Sequence, residues 1–214
     1  MDIDRPHIAW PRLNRSLVAI LRGLRPAEAE SVVSVLIEAG FEAIEIPLNS
    51  PDPFTSIETA AKLAPAGCLI GAGTVLTPEE ADRLADAGGR LMVSPNVAPE
   101  VIARASARGL ITMPGVFTAT EALLAVKSGA SALKFFPASV LSAAGINAIR
   151  AVLPAEMEIG AVGGVSEADF AAYAAVGIRT FGLGSSLYRP GASAADVANK
   201  ARAVVAAYDT IFTR

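Results

Sequence analysis

The chain repeats one pattern eight times: a short apolar run followed by an alanine-rich stretch with helical spacing. The runs are residues 17–22, 42–47, 68–72, 90–94, 110–114, 131–136, 157–162 and 179–183. Strands that alternate with helices form parallel sheets, because each helix carries the chain back to where the next strand begins. Eight such units predict an α/β fold, the (β/α)8 TIM barrel, in which the strands close into one ring.

A doubly wound open sheet is the alternative architecture. It is less favoured because eight similar units leave no evident edge strand. The loop at 71–73 also lacks the third glycine of a dinucleotide-binding fingerprint, since Leu76 stands in its place. We therefore predict one barrel domain over residues 16–214. Residues 1–15 precede the repeats, and we expect them to form an arm or a short extra helix that closes the bottom of the barrel.

Composition excludes several classes of protein. Hydrophobic residues make up 52% of the chain and charged residues 18%, which favours a large core over disorder. The net charge is −3 and no basic stripe occurs, so a nucleic-acid partner is not expected. No apolar run approaches the roughly 20 residues of a membrane-spanning helix, and no signal segment is visible. We expect a cytoplasmic protein without a membrane partner.

Histidine and cysteine are almost absent. The chain has one cysteine, Cys68, and one histidine, His7, which precedes the repeats. A cysteine cluster, a multi-histidine zinc site and a histidine-dependent triad are therefore excluded. If the protein is an enzyme, its acid, base and nucleophile come mainly from Lys, Glu, Asp, Tyr or water.

Two charged residues lie inside predicted strands. Ile44 and Ile46 share one face of the second strand and Glu45 has the other, and the sixth strand alternates in the same way around Lys134. The apolar faces should pack on the helices, which directs Glu45 and Lys134 into the barrel. Burying an unpaired charge is costly, so these residues form either a structural ion pair or a functional pair.

The functional interpretation makes Lys134 a Schiff-base lysine. Desolvation by Phe135, Phe136 and their apolar neighbours would lower its pKa and free the amine to attack a ketone. Glu45 would then transfer protons to and from the substrate. The other lysines lie in helical stretches and are interpreted as solvated surface charges: Lys62, Lys127 and Lys200.

Candidate binding groups lie at the carboxyl ends of other predicted strands. Arg22 could bind a carboxylate through two donors, although it could equally be an exposed structural residue. Thr74 offers a hydroxyl next to glycines. Gly163-Gly164 and Gly184-Ser185 follow the last two strands, where barrels commonly hold phosphate, and their alternative interpretation is ordinary tight turns.

These residues lie in segments that resemble the class I 2-dehydro-3-deoxy-6-phosphoaldonate aldolases. The resemblance covers residues 16–190 and is carried by LVAILRG (17–23), AGFEAIEIPLNSP (39–51), IGAGTVLTPEE (70–80), SPN (94–96), PG (114–115), ALKFFPA (132–138), AVGGVS (161–166) and GLGSSLY (182–188).

The resemblance implies roles for several of these residues. Lys134 would be the Schiff-base lysine, Glu45 the general acid/base, and Thr74 with an arginine the pyruvate-carboxylate site. Further pocket residues expected within the same motifs are Pro95, Asn96 and Phe136. The resemblance also implies a homotrimer. No metal or other cofactor is expected, because the iminium performs the polarisation that a Lewis acid would provide.

Two departures distinguish branches of this family. The gluconate-type enzymes usually carry Glu-Val-Thr-Leu-Arg-Thr in the second strand, whereas residues 45–50 here read Glu-Ile-Pro-Leu-Asn-Ser, and Arg22 is placed to replace the missing arginine. The gluconate type also has threonine where Val162 precedes Gly163. Both changes resemble the galactonate type. The substrates differ in configuration at C4, where a threonine hydroxyl could favour one epimer and valine could not.

The expected activity is carbon–carbon lyase chemistry: cleavage of 2-dehydro-3-deoxy-6-phospho-D-galactonate, a phosphorylated keto-deoxy sugar acid, to pyruvate and D-glyceraldehyde 3-phosphate. The nearest alternative is the gluconate epimer as substrate. Two further alternatives are a phosphosugar isomerase or epimerase that uses Glu45 for proton transfer, and a barrel that binds a phosphorylated ligand without catalysis.

Overall fold

A computed structural model describes residues 8–212 of the chain. Nine strands occur in this range: β1 (Leu17–Ile20), β2 (Ala43–Pro47), β3 (Leu69–Gly73), β4 (Leu91–Val93), β5 (Ile111–Met113), β6 (Gly115–Val116), β7 (Ala132–Phe135), β8 (Glu158–Val162) and β9 (Thr180–Leu183). The helices of the same range are α1 (Pro26–Ala39), α2 (Pro53–Leu63), α3 (Pro78–Asp86), α4 (Pro99–Ala107), α5 (Ala119–Lys127), α6 (Ala138–Arg150), α7 (Phe170–Ala174) and α8 (Ala194–Phe212).

All pairings between these strands are parallel, in the order β5-β4-β3-β2-β1-β9-β8-β7-β6. Only Pro114 separates β5 from β6, so 111–116 is one kinked strand. Its first half pairs with β4 and its second half with β7, which closes the ring. The predicted eight-unit barrel is confirmed. The count of nine arises because Pro114 interrupts the fifth strand, since proline has no N–H for the ladder.

Two buried hydroxyl residues join the kinked strand to the segment that leads into β7. The N–H of Thr112 donates to Oγ of Ser131, and the N–H of Ser131 donates to Oγ1 of Thr112, each over 3.0 Å. The N–H of Ser131 also lies 3.1 Å from the carbonyl oxygen of Thr112. These bonds satisfy buried backbone groups where the strand pairing changes partner. They hold the barrel closed three residues before Lys134.

The strands separate two apolar clusters. The larger cluster lies between strands and helices and contains Ile44, Ile46 and Phe135. The smaller one fills the barrel and includes Ala43 and Ala132, which share faces with Glu45 and Lys134. The predicted alternation is therefore present, and both charged residues are on the inward faces. Phe135 packs toward the helices, so the expectation that it desolvates Lys134 is wrong.

The described part of the N-terminal segment lies at the amino end of the barrel. Residues 8–15 contain neither helix nor strand. Ile8, Trp10 and Leu13 pack against the inner apolar cluster. Nε and Nη2 of Arg15 each lie 2.7 Å from a carboxylate oxygen of Asp209 on α8. The rest of the predicted arm, residues 1–7 with His7, lies outside the described residues.

Within residues 8–212, every helix is too short or too polar to cross a membrane.

Candidate active site

A cavity of about 310 Å³ opens at the carboxyl ends of β1, β7, β8 and β9. Its wall contains eight of the twelve residues predicted for the site: Arg22, Lys134, Phe136, Val162, Gly163, Gly164, Gly184 and Ser185. Parallel strands bring these residues together because their carboxyl ends all lie at one end of the barrel.

Lys134 carries a buried amine on the wall of this cavity. Its side chain is 6% exposed, and Nζ lies 4.9 Å from the centre of the Phe136 ring. Burial lowers the pKa of the Lys134 amine because charge is less well solvated there, and the Arg22 guanidinium lowers that pKa further. The Glu45 carboxyl acts in the opposite direction. The net lowering increases the fraction of neutral, nucleophilic amine.

Glu45 is the second buried ionisable group. It is 1% exposed, and among the described residues Oε2 has no hydrogen-bond partner. Burial raises the pKa of the Glu45 carboxyl to about 7, although Lys134, Arg22 and a backbone hydrogen bond from Gly73 all oppose the rise. A carboxyl with that pKa exchanges protons readily near neutral pH.

Glycine at position 73 leaves room for this carboxyl. A Cβ atom there would lie 2.1 Å from Oε2 of Glu45, closer than atoms can approach. The other glycine of the Gly-Ala-Gly segment also has a steric reason, because a Cβ atom at Gly71 would lie 1.9 Å from the carbonyl oxygen of Leu91. Any side chain at position 73 would displace Glu45.

Glu45 and Lys134 do not form a direct ion pair. In the described part of the chain no nitrogen–oxygen contact within 4.0 Å joins them. Their mutual influence is electrostatic and acts across a gap. The interpretation of the two residues as a direct structural ion pair is therefore wrong.

Arg22 lies in the turn after β1 with its guanidinium partly in solvent. Its Nη1 donates to Oδ1 of Asn49 over 2.9 Å, and the N–H of Gly23 donates to Oγ of Ser50 over 2.9 Å. The turn after β2 therefore holds the turn after β1. Asn49 was noted in the sequence only for the arginine it replaces, and its contact with Arg22 could not be derived from that pattern.

Four predicted site residues lie away from the cavity wall. Glu45 is one. Thr74 is half-buried with a φ of 57°, a left-handed conformation that is uncommon for threonine. Pro95 and Asn96 are exposed in the turn after β4, which Ser94 stabilises by donating its hydroxyl to the Asn96 carbonyl oxygen over 2.7 Å. A backbone outlier such as Thr74 is typical of functional turns.

The glycine loops after β8 and β9 meet at the other side of the cavity. Gly163 and Gly164 have φ of 90° and 71°, and a Cβ at Gly164 would lie 2.5 Å from Oγ of Ser139. Oγ of Ser186 donates to the carbonyl oxygen of Val165 over 3.1 Å, which ties the two loops together. Turns of this kind can present several N–H groups to one anion.

Among the side chains of the wall that sequence reasoning missed, two are polar: Tyr188 and Arg189. Nε of Arg189 donates to the carbonyl oxygen of Ser185 over 3.3 Å. Both residues follow closely after the predicted Gly184-Ser185 pair, and this nearness was the available signal.

Within residues 8–212, no group of three or more His, Cys, Asp and Glu side chains is placed to hold a metal ion.

Comparison with known proteins agrees with this geometry. A family model described as KDPG and KHG aldolase matches residues 12–203. The chain belongs to this aldolase family. The sequence prediction of an aldolase, a carbon–carbon lyase built on a TIM barrel, is thereby confirmed.

Two relatives and one solved structure place the chain within the aldolase family. A probable 2-dehydro-3-deoxy-6-phosphogalactonate aldolase of Rhizobium meliloti is 69% identical over 96% of this chain and 97% of its own. The 2-dehydro-3-deoxy-6-phosphogalactonate aldolase of Escherichia coli K12 is 48% identical over 90% and 94%. A structure described as native KDPGal has a TM-score of 0.93 at 45% identity and covers 97% of this chain and 100% of its own.

Replacing the buried carboxyl tests its raised pKa. We expect Glu45→Gln to gain stability relative to the unsubstituted protein as the pH rises from about 4.5 toward about 7. The folded state holds the Glu45 proton more tightly than the unfolded state does. Stability from this group is therefore full below the unfolded pKa and is lost as pH rises through the folded pKa. Glutamine does not titrate, so the variant does not lose stability in this way. Urea unfolding at several pH values measures the difference, and a flat difference would contradict the assignment.

Proposed function

We propose that this chain is a class I aldolase that cleaves 2-dehydro-3-deoxy-6-phospho-D-galactonate to pyruvate and D-glyceraldehyde 3-phosphate. The observation that carries the proposal is the buried Lys134 amine on a cavity wall, with the buried Glu45 carboxyl inside the same barrel. A phosphosugar isomerase or epimerase would use the carboxyl but has no need of the amine. A barrel that only binds its ligand needs neither group.

Lys134 begins the proposed reaction. Its neutral amine attacks the C2 ketone, and loss of water gives an iminium. The C3–C4 bond then breaks, its electron pair moves into the iminium to form an enamine, and glyceraldehyde 3-phosphate leaves as the aldehyde. Protonation of the enamine at C3 and hydrolysis of the imine release pyruvate and regenerate the amine.

Glu45 supplies and removes the protons. Its carboxylate accepts the proton of the C4 hydroxyl as the bond breaks and later returns a proton to C3. Because Glu45 lies off the cavity wall, a water carries these protons between carboxyl and substrate. The pKa of about 7 suits both directions of transfer. The iminium holds the electrons, and the proposed mechanism includes no metal or other cofactor.

The ends of the substrate are assigned to opposite parts of the site. Arg22 binds the carboxylate from the wall, and Thr74 contributes from the neighbouring turn after β3. The phosphate lies against the loops that contain Gly163, Gly164 and Gly184-Ser185, where backbone N–H groups can surround an anion. Phe136 covers the amine. A cytoplasmic location, which the sequence predicts, belongs to the same proposal.

Borohydride trapping with pyruvate tests the Schiff base. We expect reduction to fix a pyruvate adduct on Lys134, because an iminium is reduced to a stable secondary amine. Lys134→Ala should give no adduct and no cleavage, whereas Lys127→Ala, a change at an exposed lysine of α5, should behave as the unsubstituted protein. Peptide mass spectrometry locates the adduct. If the unsubstituted protein forms none, the aldolase proposal is rejected in favour of the isomerase or binding alternatives.

Val162 tests the choice between the two epimers. Its side chain lies on the wall before Gly163 and is 4% exposed. We expect the unsubstituted protein to prefer the galactonate epimer, and Val162→Thr to raise relative kcat/KM for the gluconate epimer about fivefold. One hydrogen bond at such a site is worth on the order of 1 kcal/mol.

Val165→Thr is the matched control for this change. Val165 lies on the same wall three residues later, and the ratio of the two kcat/KM values should stay constant in that variant. If the unsubstituted protein prefers the gluconate epimer, the galactonate assignment is rejected and the gluconate epimer becomes the proposed substrate.

We also propose that the chain assembles as a homotrimer, as the family resemblance implies. Leu76, Phe117 and Val140 are 46%, 38% and 69% exposed, and they follow β3, β6 and β7 at the same end of the barrel. Large apolar side chains that remain exposed at one end of a barrel are candidates for an interface.

A charge at this surface tests the assembly. Light scattering should give three times the chain mass of 21.9 kDa for the unsubstituted protein and a smaller mass for Val140→Glu, because a buried unpaired charge disrupts an interface. Val152→Glu, two residues after the end of α6, should remain trimeric. A monomeric unsubstituted protein, or a Val140→Glu variant that stays trimeric, contradicts the proposal.

A further inference from the structure

Arg22 is a long side chain on an exposed turn that nevertheless belongs to the cavity wall. A free guanidinium on such a turn samples many rotamers, and binding a ligand would have to restrict them. Something must therefore hold the guanidinium toward the cavity if Arg22 is to bind a small carboxylate tightly.

The turn after β2 provides that support. β1 and β2 pair in parallel with Ile20 opposite Glu45, so the turns that follow both strands lie side by side. Oδ1 of Asn49 accepts from Nη1 of Arg22 over 2.9 Å. The neighbouring Ser50 is buried, its Oγ accepts from the N–H of Gly23 over 2.9 Å, and its own N–H bonds to the carbonyl oxygen of Pro47. One turn therefore fixes both the backbone next to Arg22 and its side chain.

The chemistry of the amide suits this role. The Oδ1 atom is a neutral acceptor, so it orients one donor of the guanidinium without neutralising its charge. Arginine has five N–H donors, and those not used by Asn49 can still bind a carboxylate through two parallel bonds. A carboxylate in place of the amide would hold the guanidinium as well but would compete with an anionic ligand.

The charge of the held guanidinium acts on both reacting groups. The charge of Arg22 lowers the pKa of both Glu45 and Lys134.

We infer that Asn49 is a positioning residue, which orients the Arg22 guanidinium toward the cavity so that Arg22 binds the carboxylate of an α-keto acid. This inference rests on the proposed function, because it assumes that pyruvate forms an imine with Lys134. It adds a residue of the turn after β2 that touches no substrate and acts only through Arg22.

Two ligands separate carboxylate binding from imine formation. Pyruvate carries the carboxylate, and pyruvamide has the same ketone with a neutral amide. Borohydride trapping over a range of ligand concentrations gives the half-saturating concentration of each. We expect Asn49→Ala to raise this concentration about fivefold for pyruvate, as the loss of one hydrogen bond predicts, and to leave it unchanged for pyruvamide.

A double-variant cycle shows whether Asn49 acts through Arg22. Arg22→Ala combined with Asn49→Ala should match Arg22→Ala alone, because the amide has nothing left to orient. Asn49→Asp should weaken pyruvate binding at least as much as Asn49→Ala, because the added charge competes for the guanidinium. The matched control is Asn199→Ala, which removes the Arg202–Asn199 bond on α8 outside the cavity wall and should change the binding of neither ligand.

The outcomes are distinct. Equal pyruvate binding by Asn49→Ala and the unsubstituted protein would overturn the inference, as would an equal loss for both ligands or an additive double variant. If the unsubstituted protein forms no adduct with either ligand, the proposed function itself fails. An adduct that forms normally but does not depend on Asn49 rejects only the positioning role.

Discussion

An amine and a carboxyl are buried inside a mostly apolar barrel, and the arrangement of the candidate site depends on that burial. Water would stabilise both charged forms, so removing it moves the pKa of Lys134 downward and that of Glu45 upward. Each group is thereby brought toward the form in which it can react at neutral pH. The absence of a direct contact between them matters as much, because a tight ion pair would keep the Lys134 amine protonated and therefore unable to attack a ketone.

The two-residue period of a strand explains why burial is possible at these positions. Residues on either side of Glu45 face the helices and bury apolar surface there, which fixes the register of β2. A shift by one residue would place isoleucines in the barrel and the carboxyl against the helices. The fold therefore keeps Glu45 inward through the apolar burial of its neighbours, and the same holds for Lys134 on β7.

The inward positions of Glu45 and Lys134 could be predicted because they follow from a period that is visible in the chain. Pro114 is visible in the sequence, but the change of pairing partner at this proline is not. Pairing depends on which strands meet when the ring closes. The bond between Arg22 and Asn49 joins residues 27 positions apart through side-chain rotamers. Contacts of that kind, and the exclusion of Glu45 from the cavity wall, depend on turn geometry that no local pattern encodes.

The contact between Arg15 and Asp209 determines at which end of the barrel a tether or a fused domain can be joined. It brings the segment before β1 against α8, at the end of the barrel opposite the cavity mouth. The beginning and the end of the described chain are thus neighbours on the side where no substrate enters. A tether, a surface or a fused domain joined near either end would leave the entrance of the cavity open. A short linker between the two ends would allow the chain to be circularly permuted, with new termini in another loop of the barrel.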